Sequence, residues 1–194
     1  MGLARVFVAL VGVALAAVLL IVAVAGGSAS APGRASGPFA WLKPASPPTG
    51  WHVARTGGGV TLAYPPGWTP IKTDPGTASV ALLDDHGQID GYLDATPRQG
   101  TETLADWSRF RPRHNQGEGD RGERVIAATT TGRFRSGRGA CVIDTYTTSR
   151  TAYHEIACLV SGARSSAVIV AAAPTALWAQ QAATLQRAVS SFLA

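Results

Sequence analysis

The sequence predicts an α+β domain, an antiparallel β-sheet flanked by helices, carried behind an N-terminal apolar helix. Three observations predict it: the paired strands around the two cysteines, an amphipathic helix at the C-terminus, and an apolar run at the N-terminus. The strongest is Gly139 to Val160, where two runs rich in β-branched and aromatic residues flank Thr148-Ser149-Arg150-Thr151. A turn centred on Ser149 and Arg150 sets Cys141 opposite Cys158, Ile143 opposite Ile156 and Tyr146 opposite Tyr153, so one register matches three like pairs.

The elements follow in chain order. Val6 to Ala25 is an unbroken apolar run of twenty residues, and a helix of that length spans about 30 Å of hydrocarbon. Arg5 precedes the run and only Arg34 follows at some distance, so the N-terminus stays cytoplasmic and the rest lies outside. Residues 1–25 thus read as a transmembrane anchor, giving a single-pass cell-membrane protein. The alternative is a signal peptide, with secretion after cleavage following Ala25, because Ala23-Val24-Ala25 is a suitable cleavage site. Residues 26–50 are rich in Gly, Ala, Ser and Pro and read as a disordered linker. Phe39, Trp41 and Leu42 interrupt it and are expected to dock on the domain, assigned to 51–194.

Within that domain, two strands flank Gly57-Gly58-Gly59, and Ser79 to Leu83 pairs with Ile89 to Asp94 across a Gly-containing turn. Thr103, with Asp106 three residues on, caps a short helix carrying Leu104, Trp107 and Phe110, which Pro112 is expected to end. Pro112 to Gly122 reads as a mobile loop. A strand from Arg124 to Phe134, a turn at Arg135 to Arg138, the cysteine hairpin and a strand from Ser165 to Ala172 follow. Pro174 and Thr175 open the last helix, whose Trp178, Ala182, Leu185, Val189 and Phe192 recur at steps of four and three.

Tyr64-Pro65-Pro66-Gly67-Trp68 after an extended segment, the Leu104-Ala105-Asp106-Trp107 helix start and the ending from Ala172-Ala173-Pro174 through Trp178 to Ser190-Ser191-Phe192 resemble the PsbP-like sandwich family. That family includes photosystem accessory subunits, Ran-binding Mog-type proteins and small secreted or lipid-anchored actinobacterial proteins. The resemblance implies an α/β/α architecture and a role in binding partners or assisting assemblies. It transfers no functional residue, and neither cysteine stands where a lipid anchor would need it.

The chain of 194 residues carries a formal charge of +5, and fifteen of its seventeen basic residues are Arg. In the register above, Cys141 and Cys158 form a non-hydrogen-bonded pair with Cα atoms about 4.5 Å apart, close enough for a disulfide. Two buried thiols side by side are the alternative. Along a strand, His154 and Cys158 stand about 13 Å apart, too far to share a metal, with Glu155 on the opposite face. Gly117 to Gly122 spells a dinucleotide fingerprint, but no strand precedes it and its two carboxylates would repel a pyrophosphate. Asp84, Asp85, Asp90 and Asp94 lack the last Glu of a calcium loop. No cofactor or metal is expected.

Asp144 opposite Glu155 places two carboxylates side by side, a pair that can bind a cation, serve acid–base chemistry, or be neutralised by an Arg such as Arg124 or Arg133. The stretches containing Arg109 and Arg111, and Arg133 and Arg135, mix Arg with aromatics; outside a membrane they suit anionic lipid or envelope polymer better than nucleic acid. The sequence reading is therefore a non-enzymatic extracytoplasmic binding or assembly module for a protein partner or anionic envelope component. The alternatives are an envelope hydrolase built on Asp144, Glu155 and a histidine, and a structural accessory subunit of a membrane complex.

Overall fold

A computed structural model describes residues 37–194. The apolar segment and the first part of the linker lie outside the described residues, and among these no helix is long and apolar enough to cross a membrane.

The chain opens with β1 (His52–Arg55), a 3-10 turn at Gly57–Gly59, and β2 (Thr61–Tyr64), which pair as a separate antiparallel hairpin. Next come β3 (Thr69–Ile71), β4 (Ala78–Leu83) and β5 (Ile89–Pro97), then helix α1 (Trp107–Gly117). The long strands β6 (Arg121–Arg133), β7 (Gly137–Thr147), β8 (Ala152–Gly162) and β9 (Ser166–Pro174) precede helix α2 (Trp178–Ser191). The seven strands β3 to β9 form one antiparallel sheet in the order β3-β4-β5-β9-β8-β7-β6.

The central hairpin has the expected register throughout: Cys141 faces Cys158, Ile143 faces Ile156, Asp144 faces Glu155 and Tyr146 faces Tyr153. The Thr148 N–H donates to the Thr151 carbonyl at 3.0 Å, closing a two-residue turn at Ser149 and Arg150. The cysteines form a disulfide with Cα atoms 4.1 Å apart, the close approach of a non-hydrogen-bonded pair.

Alternation along the strands divides the side chains between two faces. One face carries Cys141, Ile143, Ile156, Cys158, Val160, Ile169 and Leu93, and α2 seals it with Leu185, Ala188, Val189 and Phe192, all buried in the main core. Trp68 lies across β5 in the same core; a Cβ at Gly91 would stand 2.7 Å from its ring, so that strand position must lack a side chain. The packing reaches back past Trp51. Leu42 is buried, Phe39 and Trp41 pack beside it, and the Ala45 N–H donates to the Ser190 carbonyl at 3.1 Å, so this part of the stretch read as linker lies docked.

The second face is covered by α1 on its β6–β8 side alone. Three expectations are corrected here. Pro112 does not end α1; the helix continues to Gly117 with Pro112 inside it. A proline there removes one helical bond at a cost of about 3 kcal/mol. The buried anchors Trp107 and Asn115, on either side of it, hold the helix against the sheet. The segment 112–122 is consequently a helical turn and a tight turn into β6, and the dinucleotide-like glycines sit at that helix end. The last helix starts at Trp178, because Pro174 still pairs with Tyr153 in the sheet.

Candidate functional site

The site grows from the start of α1. The Thr103 N–H donates to Asp106 Oδ1 at 2.7 Å and the Asp106 N–H to Thr103 Oγ1 at 3.3 Å, a reciprocal cap that sets the helix direction. One turn on, Trp107 is buried against Ala140, Val142, Ala157 and Leu159, and its Nε1–H donates to the Ala157 carbonyl at 3.0 Å. Steps of three and four from Trp107 bring Phe110, Arg111, His114, Asn115 and Glu118 to one side of the helix. Phe110 stacks between Trp107 and His114, with centroids 5.7 and 5.9 Å away.

Arg111 reaches the sheet. Its Nε–H donates to Glu155 Oε1 at 2.7 Å and its Nη2–H to Glu155 Oε2 at 2.8 Å, a two-point pair in which the side chains are 13 % and 0 % exposed. Burial works against the guanidinium charge, but the Glu155 carboxylate outweighs it and raises the pKa of Arg111. Asp144, across the ladder from Glu155, is fully buried and neither carboxylate oxygen has a hydrogen-bond partner among the described residues. Burial, and then Glu155 and Glu123, push its carboxyl up to about 8, against the pull of Arg111. Burial and the neighbouring carboxylates thus favour the protonated form of Asp144 beside the Arg111-paired Glu155. Glu123 on β6 is also raised, by burial and then by Glu155; the Asn115 amide opposes this without reaching hydrogen-bond geometry.

Beyond this pair the sheet face is uncovered. Where α1 leaves β9 and β5 bare, a cleft of about 750 Å³ opens between the helix, the strand floor and the loops after β3 and β5. Its floor carries Tyr92, Asp94, Tyr146, Glu155, Val168 and Val170. Asp94 accepts from Thr96 Oγ1 at 2.6 Å and from Ser79 Oγ. The Tyr92 hydroxyl is pushed up to about 12 by burial and by Asp94, and burial and Glu155 raise that of Tyr146. At the rim, Asp120 is raised by burial and then by Glu155.

Of the residues singled out in the sequence, the fold brings together Asp144, Glu155 and Arg111. It does not gather the basic patch. Arg109 is exposed on the outer side of α1, and Arg133 and Arg135 are exposed at the β6–β7 turn. The neutralising Arg is Arg111 rather than Arg124 or Arg133. His154 lies on the opposite face, its ring stacked on Trp178 at 3.9 Å, where burial lowers its pKa. Asp84 closes its own turn, accepting from the N–H groups of His86 and Gln88 at 2.8 and 2.7 Å. Among the described residues no three of His, Cys, Asp and Glu stand close enough to share a metal ion. Sequence reasoning missed Tyr92, Glu102 and Asn115, and weighed Asp94 and Asp120 only as members of a turn cluster and of a glycine-rich stretch. The step of four from Trp107 through Arg111 to Asn115 was the available signal, hidden by ending the helix at Pro112.

The chain matches no described protein family, and no curated protein matches it. Its fold is PsbP-like. It is similar to the cyanobacterial PsbP protein CyanoP of Synechocystis sp. PCC 6803, with a TM-score of 0.54 and 18 % identity over 75 % of this chain and 92 % of that one. Weaker likenesses are to PA94 of Pseudomonas aeruginosa, a protein of unknown function (TM-score 0.43, 8 % identity, 74 % of this chain and 96 % of that one), and to a protein from Bacteroides thetaiotaomicron VPI-5482 (TM-score 0.42, 12 % identity, 74 % and 47 %).

Proposed function

We propose that the domain is a non-enzymatic binding or assembly module working outside the cytoplasm, and that it holds its partner in the cleft beside α1. Residues 6–25 act as its membrane tether, or as an export signal removed after Ala25. The observation that carries this reading is the uncovered half of the second sheet face: a concavity of about 750 Å³ with polar and aromatic walls, where the other face is sealed by α2. A fold with many roles does not supply a function, so the cleft has to. The disulfide accords with an oxidising compartment.

The same cleft supports binding over hydrolysis. A hydrolase built on Asp144, Glu155 and a histidine needs all three to face one substrate. His114 lines the cleft, but both oxygens of Glu155 are engaged by Arg111 and Asp144 is fully buried, so neither carboxylate is free to act beside it.

A photo-crosslinking residue introduced at Thr96, within the cleft, and at Val53, on the exposed β1–β2 hairpin, tests the reading in cells. The expected result is a discrete product from position 96 that is absent from position 53. Equal products from both positions, or none from 96 together with turnover of ester or glycoside substrates by the purified full-length protein, would sink it.

A further inference from the structure

The cleft has a charge opposite to that of the chain. Six of the twelve acidic residues line it, namely Asp74, Asp94, Glu102, Glu118, Asp120 and Glu155, and among the described residues Arg111 is the single Lys or Arg that does so. Arg111 is consumed by Glu155, which leaves five acidic residues along the lining of the cleft in a protein of formal charge +5. An anionic ligand would meet repulsion there, and a cation would be drawn in.

A second observation is independent of that count. Glu102 is 5 % exposed, lines the cleft, and has an oxygen, Oε2, without a hydrogen-bond donor among the described residues. The side chain lies against Gly100, where a Cβ would come within 2.6 Å of that oxygen. A buried carboxylate oxygen without a donor is unfavourable until a partner satisfies it, and a cationic N–H group would supply both the donor and the opposite charge. Aromatic side chains complete the arrangement: Phe110, stacked between Trp107 and His114, and Tyr146, stacked on Tyr153, are among the same walls. The carboxylates are not grouped closely enough to hold a metal ion, and the volume is far larger than one ion requires.

We propose that this cleft binds an organic cation, a primary ammonium or guanidinium group, with Glu102 and Asp120 as its carboxylate partners and Phe110 and Tyr146 as its aromatic walls. The inference rests on the binding reading above and names the chemistry of the partner. The cation comes either from a free amine or from a Lys or Arg side chain of a protein, and both present the same donors.

Calorimetric titration of the full-length protein in uncharged detergent, with spermidine in one arm and trilysine amide in the other, tests this. Binding of spermidine alone identifies a free amine, binding of trilysine alone identifies a basic side chain of a protein, and both outcomes support the site. Replacing Glu118→Gln together with Asp120→Asn at the cleft rim is expected to weaken binding tenfold or more. Asp85→Asn with Asp90→Asn removes as much charge from the β4–β5 hairpin and is expected to leave binding unchanged. Glu102→Gln, checked for an unaltered melting curve, is expected to weaken it as the rim pair does. The proposal is overturned by millimolar spermidine and trilysine both giving no binding, by hexaglutamate binding in their place, or by the hairpin pair weakening binding as much as the rim pair. If position 96 captures a partner while neither cation binds, this inference alone falls; if position 96 also captures nothing and the purified protein turns over an ester or glycoside, the binding reading falls with it.

Discussion

At the scale of single residues, the Arg111, Glu155 and Asp144 group is the most exacting feature of the domain. Glu155 is fully buried and depends on Arg111 for both of its hydrogen bonds. Arg111→Ala strands that charge, and the expected loss is about 3–5 kcal/mol, measured by urea unfolding. Arg111→Met combined with Glu155→Leu should recover most of it, because removing both charges also removes their desolvation. A double variant as unstable as the single one would show that the pair does more than neutralise itself. Asp144 makes a prediction in pH. Its carboxyl is raised from 3.8 to about 8 in the folded protein, mainly by burial and then by Glu155 and Glu123. Between those values the unfolded chain has released the proton that the folded one still holds, so folding stability declines as pH rises across that window and levels off above it. Asp144→Asn should flatten this part of the melting temperature profile between pH 5 and pH 8; an unchanged slope would assign it to another group.

At the scale of elements, the hairpin of β7 and β8 was legible because three like pairs chose one register, and a one-residue slip would have sent every side chain to the wrong face. Its staple joins two adjacent central strands at a sequence separation of 17 residues. The chain-entropy relation gives a contribution of about 3 kcal/mol for a loop of that size. Denatured, unreduced protein should therefore show no reactive thiol, and reduction should lower the denaturation midpoint without abolishing the fold. Two titratable thiols before reduction would contradict the pairing. Helix α1 was half legible. The Thr103 and Asp106 cap is a local motif and could be read. Passage through Pro112 could not, because a local penalty was outweighed by contacts of Trp107, Arg111 and Asn115 with strands far away in sequence.

At the scale of the whole molecule, one sheet face is sealed and the other is half open, and that asymmetry makes the cleft. The sealed face extends to residues before the expected domain boundary. Leu42 is 9 % exposed, with Phe39 and Trp41 packed beside it, and burying a leucine side chain contributes about 1.5–3 kcal/mol. A chain beginning at Trp51 should melt below one beginning at Gly37 by an amount that Leu42→Ala in the longer chain largely reproduces. Equal melting temperatures would mean that the docked segment adds nothing to stability.

The sequence alone determined the α+β class, the central register, the cysteine pairing and the opposition of Asp144 to Glu155. Each of these depends on strand alternation or on a short local motif, and such signals lie within a few residues of one another. Only the tertiary structure decided that Arg111 rather than Arg124 or Arg133 meets Glu155, that His154 faces away from them, and that carboxylates from β5, β8 and three loops share one cleft. Those meetings depend on where a helix crosses a sheet and how much of it stays uncovered. The residues involved come from segments up to 81 positions apart, Asp74 to Glu155 in numbering, and no local pattern records their approach.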